Sequence, residues 1–332
     1  MKKFRHVLVI GGAGYIGAVL VPELLKEGYR VTVYDLFIYG QKVFDAVKDN
    51  SSLKLVRGDV RDLVLLEKAM GDSDAVIHLA CISNDPSFEL NPELSKSINY
   101  DCFEPCVKMA KAKGVKRFIY ASSSSVYGIK DEQDVTEDMS LKPLTDYSRY
   151  KVLCEEILLK EAHRNFTCVV LRPATACGYS PRQRLDLTVN ILTNQAVNEG
   201  KIRVLGGEQK RPGIHIRDLT DLYVRMLEYE DRKIEGNIFN VGYENHTIIE
   251  IARMVKEVVG KDICLDVLPA DDERSYHISS DKIKKQLGFT PEHSIKEAAE
   301  DLKKAFEEGL LHDPLNNTLY YNIRRMKEMN LK

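Results

Sequence analysis

The junction between an apolar run and a glycine-rich loop constrains the fold of this chain most strongly. Residues 6–17 read HVLVIGGAGYIG, and a helical pattern starts inside this stretch and continues to residue 28. Gly11, Gly14 and Gly17 stand where the apolar run ends. Glycines permit a tight turn close to a phosphate, and a helix N-terminus offers N–H groups to it. The spacing is G-x-x-G-x-x-G rather than the G-x-G-x-x-G fingerprint. The segment predicts a strand–turn–helix unit that binds a dinucleotide.

The first half of the chain alternates short apolar runs with longer amphipathic ones. Strand-like runs lie at 6–12, 30–35, 53–59, 75–80, 117–123 and 168–173. Helical patterns lie at 15–28, 62–71, 92–114 and 146–164. Near-continuous apolar runs suit strands that are buried on both faces, and their alternation with helices gives βαβ units. The sequence therefore predicts the α/β class, with a doubly wound parallel sheet.

The pattern changes after Pro173. Helices are expected at 186–200, 218–230, 248–260 and 295–309, and short strands at 202–207, 212–218 and 238–243. The predicted organisation is a dinucleotide-binding domain of residues 1–173 plus about 214–243, and a smaller mixed α/β lobe of about 174–213 plus 244–332. No long Pro/Gly/Ser linker separates the two, so we expect a cleft between them.

Composition narrows the function classes. Among 332 residues, 50 are acidic and 48 basic, so the net charge of −2 gives no argument for nucleic acid or an anionic membrane as partner. No apolar stretch is long enough to span a bilayer. Seven cysteines without paired spacing favour reduced thiols in a cytoplasmic protein over a disulfide framework or a metal site.

Carboxylates end the second and third predicted strands. Asp35 lies 24 residues after Gly11. A carboxylate at this position accepts hydrogen bonds from an adenosine ribose and repels a 2′-phosphate, which favours NAD over NADP. Asp59, in the GDV stretch at 58–60, could meet the adenine or cap the next helix.

A tyrosine and a lysine stand four residues apart in a predicted helix. Tyr147 and Lys151 share one face of it, and an ammonium close to a phenol lowers the pKa of that phenol. Such a tyrosine could take a proton from an alcohol while a hydride leaves the same carbon. Tyr150 is a competing tyrosine, but the residue four positions after it is Cys154 rather than a lysine.

Four consecutive serines, residues 122–125, end another predicted strand. Ligands bind at the carboxyl edge of doubly wound sheets, so one of these hydroxyls could hold the alcohol oxygen. Serines at a strand end can also simply cap turns. Because the glycine loop, Asp35 and the tyrosine–lysine pair accompany them, we interpret them as part of an active site.

Taken together, these motifs resemble those of the extended short-chain dehydrogenase/reductases, in the NAD-dependent nucleotide-sugar epimerase/dehydratase family. The resemblance rests on GGAGYIG, Asp35, GDV, HLA (78–80), SSSSVYG (122–128), YSRYK (147–151), LRPATACG (171–178) and RPGIHIRDL (211–219). These stretches run in family order over roughly residues 6–290.

The resemblance implies a role for each matching residue. Tyr147 is the implied base, Lys151 the residue that binds the nicotinamide ribose and tunes Tyr147, and Ser123 the catalytic serine, with Ser124 as the alternate. The implied NAD contacts are Gly11, Gly14, Tyr15, Ile16, Gly17, Asp35, Asp59, Val60, Leu79, Ala80, Asn99, Tyr147, Lys151 and Pro173. The implied nucleotide-sugar contacts are Ser123, Asn190, Arg211 and Arg274, where arginine suits diphosphate oxygens.

Family 4,6-dehydratases carry Asp-Glu where this chain has Ser124 and Ser125, and a hydroxyl cannot replace a carboxylate as a proton shuttle. The resemblance therefore implies an NAD-dependent nucleotide-sugar epimerase. It would oxidise sugar C4 to a ketone and return hydride to the opposite face. The alternatives are a 4-dehydrogenase or ketoreductase on a related substrate and, less favoured, a 4,6-dehydratase or a non-catalytic NAD sensor.

Three further features lead to expectations of their own. Arg182 and Arg184 could reach a phosphate or an acidic sugar, or lie in a solvated loop. The tail after residue 310 receives no chemistry, although its apolar residues could pack on the substrate lobe. A homodimer is implied by the family, through the predicted helices 92–114 and 146–164.

Overall fold

The computed structural model describes residues 2–130, 132, 134–269 and 277–331. Its strands are β1 (His6–Ile10), β2 (Arg30–Asp35), β3 (Leu53–Arg57), β4 (Ala75–His78), β5 (Arg117–Ala121), β6 (Thr167–Pro173), β7 (Thr175–Cys177), β8 (Lys201–Leu205), β9 (Lys210–His215), β10 (Asn237–Val241), β11 (Glu244–Thr247) and β12 (Cys264–Leu268). Its helices are α1 (Gly17–Lys26), α2 (Leu63–Met70), α3 (Asp85–Phe88), α4 (Pro92–Lys96), α5 (Phe103–Ala112), α6 (Asp146–Glu161), α7 (Thr188–Glu199), α8 (Ile216–Arg225), α9 (Asp231–Ile234), α10 (Ile248–Val259), α11 (Asp281–Leu287), α12 (Ile295–Glu307) and α13 (Asn322–Met329).

Seven parallel strands form the large sheet, in the order β10-β6-β5-β4-β1-β2-β3. The central strand β1 shows why helices cover both faces. Val7 and Val9 join an apolar core with α1 and α8, whereas Leu8 and Ile10 join a second core with α2, α5 and α6. Successive side chains of a strand point to opposite faces, so each face needs its own helices. The doubly wound parallel sheet predicted from the sequence is confirmed.

A smaller mixed α/β region follows the sixth strand of the large sheet. Strands β7, β9 and β11 form one small sheet, and β8 pairs in parallel with β12. A third apolar core joins α7, α10 and α12 to these strands. Within the predicted return segment 214–243, α8 packs against α1, and β10 completes the large sheet. The division into two domains stays a prediction, which this arrangement supports.

One predicted helix is broken. The pattern at 92–114 predicted a continuous helix, but α4 ends at Lys96 and a π-helical turn covers Ser97–Asp101 before α5 begins. In this turn the Asn99 amide accepts a hydrogen bond from the Ile82 N–H at 2.8 Å and donates one to its carbonyl at 2.9 Å. The prediction was wrong because an amphipathic pattern does not distinguish an ordinary turn from a wide one.

All seven cysteines are free thiols. Burial raises the pKa of Cys106 to about 12, so this thiol stays protonated at neutral pH. Across the described ranges, no helix combines the length and the apolar character needed to cross a lipid bilayer.

Because its strands are parallel, the large sheet brings their carboxyl ends to one edge. The residues that end or directly follow these strands are Gly11 after β1, Asp35 in β2, Leu79 after β4, Ser122 after β5 and Pro173 in β6. The fold therefore gathers at one edge the positions that the sequence singled out.

Candidate active site

A cavity of about 510 Å³ lies along this edge. Its walls come from the glycine loop, the ends of β2, β4, β5 and β6, the start of α6, part of residues 182–188, and α13. Its volume is within the range of small-molecule and cofactor sites. The large sheet and the smaller α/β region thus share one cavity.

The glycine loop is closely packed against the rest of the cavity wall. Gly11 has φ +79°, and a Cβ on it would lie 2.4 Å from the backbone nitrogen of Ala80. A Cβ on Gly17 would lie 2.2 Å from the carbonyl oxygen of Gly12. Helix α1 begins here without a side-chain N-cap, and Gly14, Tyr15, Ile16 and Gly17 line the cavity. An uncapped helix N-terminus beside such a loop fits the pyrophosphate of a dinucleotide.

Asp35 also lines the cavity. Its carboxylate accepts hydrogen bonds from the Ala13 N–H at 2.9 Å and the Phe37 N–H at 2.7 Å. Burial raises the pKa of Asp35, and these two N–H groups oppose that rise. Each carboxylate oxygen can accept more than one hydrogen bond, so this anchored acceptor can still receive ribose hydroxyls. The residues present therefore fit NAD.

Asp59 does not cap the next helix, and its contact with the adenine stays a prediction. It is not among the residues that line the cavity. Its carboxylate binds the Arg61 guanidinium, with Oδ2 and Nη2 2.6 Å apart. The N-cap of α2 is Asp62, which accepts from the Leu65 N–H at 3.0 Å. Val60, the next residue in the GDV stretch, does line the cavity.

Several other predicted NAD contacts reach the cavity. Leu79, Ala80 and Pro173 are among its lining residues. Asn99 is not, because its amide is directed at the main chain of Ile82. Ile82 itself lines the cavity, so Asn99 supports the wall from behind.

Tyr147, Lys151, Ser123 and Ser124 all line the cavity. The Lys151 ammonium donates to the Ala121 carbonyl at 2.6 Å and lies 5.7 Å from the centre of the Tyr147 ring. The Ser123 hydroxyl is in hydrogen-bonding reach of the Tyr147 hydroxyl. The chain thus brings its predicted base, lysine and serines to one wall.

The pKa of Tyr147 differs from the expectation. Burial of its hydroxyl raises the pKa well above the ordinary value, and the charge of Asp85 adds to this effect. The Arg184 charge and the hydrogen bond with Ser123 act in the opposite direction. The prediction that Lys151 lowers the pKa of Tyr147 is wrong for this geometry. Burial has the larger effect on this pKa, and the Lys151 ammonium donates its hydrogen bond to the Ala121 carbonyl. The direction of this shift favours the protonated phenol of Tyr147.

A chain of hydroxyls that the sequence did not reveal fixes Ser123 in place. Its oxygen lies 2.9 Å from Ser125 Oγ, which accepts from the Ser148 hydroxyl at 2.9 Å. Ser148 in turn lies 3.2 Å from Thr145, whose hydroxyl donates to Asp85 at 2.6 Å. In the sequence, the position of Ser148 directly after Tyr147 was the one indication of this network.

The competing tyrosine has a packing role. Tyr150 stacks on Tyr100 and Phe88, with ring centres 5.1 Å and 5.7 Å apart. It is not among the cavity residues. Tyr147 is therefore the tyrosine of this pair that can meet a ligand.

The predicted substrate contacts divide into three groups. Arg211 lines the cavity, and Arg274 lies outside the described residues. Asn190 is buried and does not line the cavity. Its amide accepts from the Gly178 N–H at 3.1 Å and donates to the Tyr15 hydroxyl at 3.0 Å, so it joins the glycine loop to the second lobe instead.

Arg182 and Arg184 are not in a solvated loop, because only 4% and 8% of them is exposed. Both line the cavity. Arg182 stacks on Tyr39 at 3.5 Å from the ring centre, and Arg184 pairs with Asp186 at 2.9 Å. Arg182 Nε and Arg184 Nη2 are buried without a hydrogen-bond partner in the described part of the chain. Buried donors normally have acceptors, so both suit a ligand oxygen.

A family model described as the NAD dependent epimerase/dehydratase family matches residues 7–242, which include the glycine loop, the serine run and the tyrosine–lysine pair. The chain belongs to this family. Membership confirms the resemblance found in the sequence, including NAD as the cofactor, and it makes the chain a member of an enzyme family. The family match ends directly after β10 of the large sheet, well before α13.

Individual relatives cover most of this chain. A UDP-glucose 4-epimerase from Lactobacillus helveticus is 30% identical, over 86% of this chain and 92% of the relative. UDP-glucuronic acid decarboxylase 1 from Arabidopsis thaliana is 29% identical, over 94% of this chain and 72% of the relative. A crystal structure of UDP-glucuronic acid 4-epimerase from Bacillus cereus, in complex with UDP-glucuronic acid and NAD, is 27% identical with a TM-score of 0.81. The match spans 91% of this chain and 99% of the chain in that crystal structure.

Proposed function

We propose that this protein is an NAD-dependent nucleotide-sugar 4-epimerase. The observation that carries the proposal is that Tyr147, Lys151 and Ser123 line the same cavity as the glycine loop and Asp35. Bound NAD would supply the hydride acceptor and return the hydride in the second half of the reaction. Gly11, Gly14 and Asp35 would hold the dinucleotide, and Lys151 its nicotinamide ribose.

Tyr147 moves the proton of the sugar C4 hydroxyl in this proposal. Its phenolate would take that proton during oxidation, and its phenol would give it back to the ketone oxygen of the 4-keto intermediate. The raised pKa of Tyr147 suits the second step, in which the phenol must hold a proton to donate. Arg184 and Ser123 favour the phenolate that the first step needs.

Ser123 would hold the reacting oxygen, since the hydroxyl chain through Ser125 and Ser148 fixes its position. Ser125, which replaces one of the two carboxylates of a 4,6-dehydratase, is part of that chain. A hydroxyl in this role cannot serve as the acid–base pair that dehydration requires. This placement favours return of the hydride over loss of water.

The substrate we propose is a UDP-sugar, because the relatives named above act on or bind UDP-sugars. Arg211 and Arg274 would bind the diphosphate, with the smaller lobe of residues 174–213 and 244–332 holding the nucleotide. Arg182 and Arg184 would offer their unpartnered nitrogens to oxygens of the ligand. Asn190 would act indirectly, through the glycine loop.

The test is a panel of UDP-, GDP-, dTDP- and CDP-sugars incubated with the pure protein, with and without added NAD. A product of unchanged mass that separates from the substrate by chromatography supports the epimerase. Loss of two hydrogens with formation of NADH would identify the alternative 4-dehydrogenase. Loss of water or carbon dioxide would refute the proposed reaction. Bound NAD without any turnover would favour a non-catalytic sensor.

We further propose a cytoplasmic homodimer. Helices α5 and α6 pack against each other, and α6 keeps Val152, Leu153 and Ile157 partly exposed. Such a face suits a four-helix contact between two copies. Light scattering coupled to size-exclusion chromatography measures the mass directly, and a monomer at micromolar concentration would refute the dimer.

A further inference from the structure

The C-terminal segment forms one wall of the cavity. After α12 ends at Glu307, the chain makes a short 3₁₀ turn at Thr318–Tyr320 and continues as α13. Asn322, Met326 and Leu331 of this segment line the cavity. They come more than 75 residues after the end of the family match at residue 242. The family match itself therefore does not include this wall.

Asn322 joins three separate parts of the cavity wall. It is only 3% exposed. Its side-chain oxygen accepts from the Tyr39 hydroxyl at 3.0 Å and from the Arg182 guanidinium. Its side-chain nitrogen donates to the Ser83 hydroxyl at 2.9 Å, and its backbone N–H donates to Asp186 at 3.1 Å. The side chain of Asn322 thus forms hydrogen bonds with residues of both predicted lobes.

Further contacts fix α13 to the same loops. Arg325 Nε donates to the Ile38 carbonyl at 2.6 Å. Met326 joins a small apolar cluster with Ile82, Leu94 and Ile98. The helix is therefore held at two points by the loop after β2 and at two points by the loop after β4.

The two loops held in this way belong to different ends of the expected ligand. Tyr39 follows Asp35 at the end of β2, the adenosine side of the proposed NAD site. Ser83 follows Ala80 after β4, and it lies between Cys81 and Asp85, which both act on the pKa of Tyr147. A dinucleotide that lies along the glycine loop would be enclosed between these loops and α13. Its release would require α13 to leave or the loops to separate.

We propose that α13 is a clasp that retains NAD, with Asn322 as its central residue; this inference rests on the proposed function for the identity of the ligand. The clasp suits an epimerase in particular. Both halves of that reaction use the same NAD molecule, whereas a dehydrogenase must exchange its cofactor after each turnover.

The experiment measures release of NAD without any sugar substrate. Full-length protein is loaded with NAD and freed of excess by gel filtration. Samples are passed through a centrifugal filter at intervals, and the NAD that remains with the protein is measured by chromatography. The variants are Asn322→Ala and Arg325→Ala. Asn316→Ala is the matched control, because Asn316 lies in the same segment but is exposed and contacts only Asp313 in the described hydrogen bonds.

We expect Asn322→Ala and Arg325→Ala to release NAD at least about tenfold faster than the unmodified protein, a change of about 1.4 kcal/mol. Asn316→Ala should release it at the unmodified rate. Unchanged release from both clasp variants would overturn the inference. If thermal unfolding shows that Asn322→Ala is misfolded, Arg325→Ala decides alone, because its side chain is partly exposed and leaves no buried void.

Together with the panel of nucleotide sugars, this experiment separates the inference from the proposed function. A protein that epimerises a nucleotide sugar but releases NAD equally fast in all variants would refute the clasp alone. A protein that retains NAD through the clasp but converts no sugar of the panel would refute the proposed reaction alone.

Discussion

Replacing Arg172 with methionine tests the polar network behind the serine run at residues 122–125. Arg172 on β6 and Glu155 on α6 form an ion pair whose side chains are only 2% and 3% exposed. Arg172 Nη2 lies 2.6 Å from one carboxylate oxygen and Nε 3.0 Å from the other. Glu155 also accepts from the Ser122 hydroxyl, which begins the serine run.

The magnitude follows from burial. Removing one partner of a buried pair leaves an uncompensated charge and costs about 3–5 kcal/mol of unfolding free energy. Methionine fills much of the arginine volume, so packing adds little to this cost. Replacing both partners removes the stranded charge, and such apolar replacements are often neutral. In the double variant Arg172→Met/Glu155→Leu, Ser122 still loses an acceptor, which costs roughly 1–3 kcal/mol.

The assay is urea unfolding followed by far-ultraviolet circular dichroism, because the chain contains no tryptophan. Arg225→Met is the control, since Arg225 forms an exposed pair with Asp221. Such pairs contribute about 0.3–0.5 kcal/mol. A loss below about 1 kcal/mol in Arg172→Met, or a double variant less stable than the single one, would refute the reasoning.

Three further predictions concern ligand binding and turnover. Tyr147→Phe should bind NAD normally and lose about 10²–10⁴-fold in kcat, whereas Tyr150→Phe should keep its activity; equal rates in both variants would remove Tyr147 from the mechanism. Gly11→Ala should abolish NAD binding in calorimetric titration, because its Cβ would collide with the backbone nitrogen of Ala80. Gly28→Ala has a similar φ of +78° but open space, so it should cost only about 1–2 kcal/mol and leave binding intact. Asp35→Ser should weaken the binding of NAD roughly tenfold and reduce the preference for NAD over NADP. An unchanged ratio of the dissociation constants for NAD and NADP would contradict the role of the carboxylate.

The sequence was a good guide where one local pattern determines the structure. Strand β1 was predicted because four apolar side chains must be buried on two faces, and the structure buries them in two cores. Tyr147 and Lys151 were paired through helical spacing, and both reach the cavity. Their approximate positions could be predicted from two rules: residues four apart share one face of a helix, and ligands bind at the carboxyl edge of a parallel sheet.

Features that depend on contacts between distant residues could not be predicted. Nothing around Asn322 in the sequence indicates that it meets Tyr39, which precedes it by 283 residues. The hydrogen bond from the Asn190 amide to the Tyr15 hydroxyl likewise joins residues that are 175 positions apart in the sequence. The pKa of Tyr147 depends on how deeply its hydroxyl is buried, and spacing along a helix contains no information about that.

The π-helical turn at residues 97–101 determines how many residues its helical stretch must contain. Leu94 and Ile98 contact the C-terminal segment, whereas Phe103 and Val107 face the large sheet. One residue in a helix corresponds to a rotation of about 100°. The wide turn contains about one residue more than an ordinary turn and so takes up the rotation that this residue would otherwise cause. Leu94 and Ile98 can therefore reach the C-terminal segment while Phe103 and Val107 reach the sheet. If the same residues formed an ordinary helix throughout, one of the two apolar sets would be rotated toward solvent.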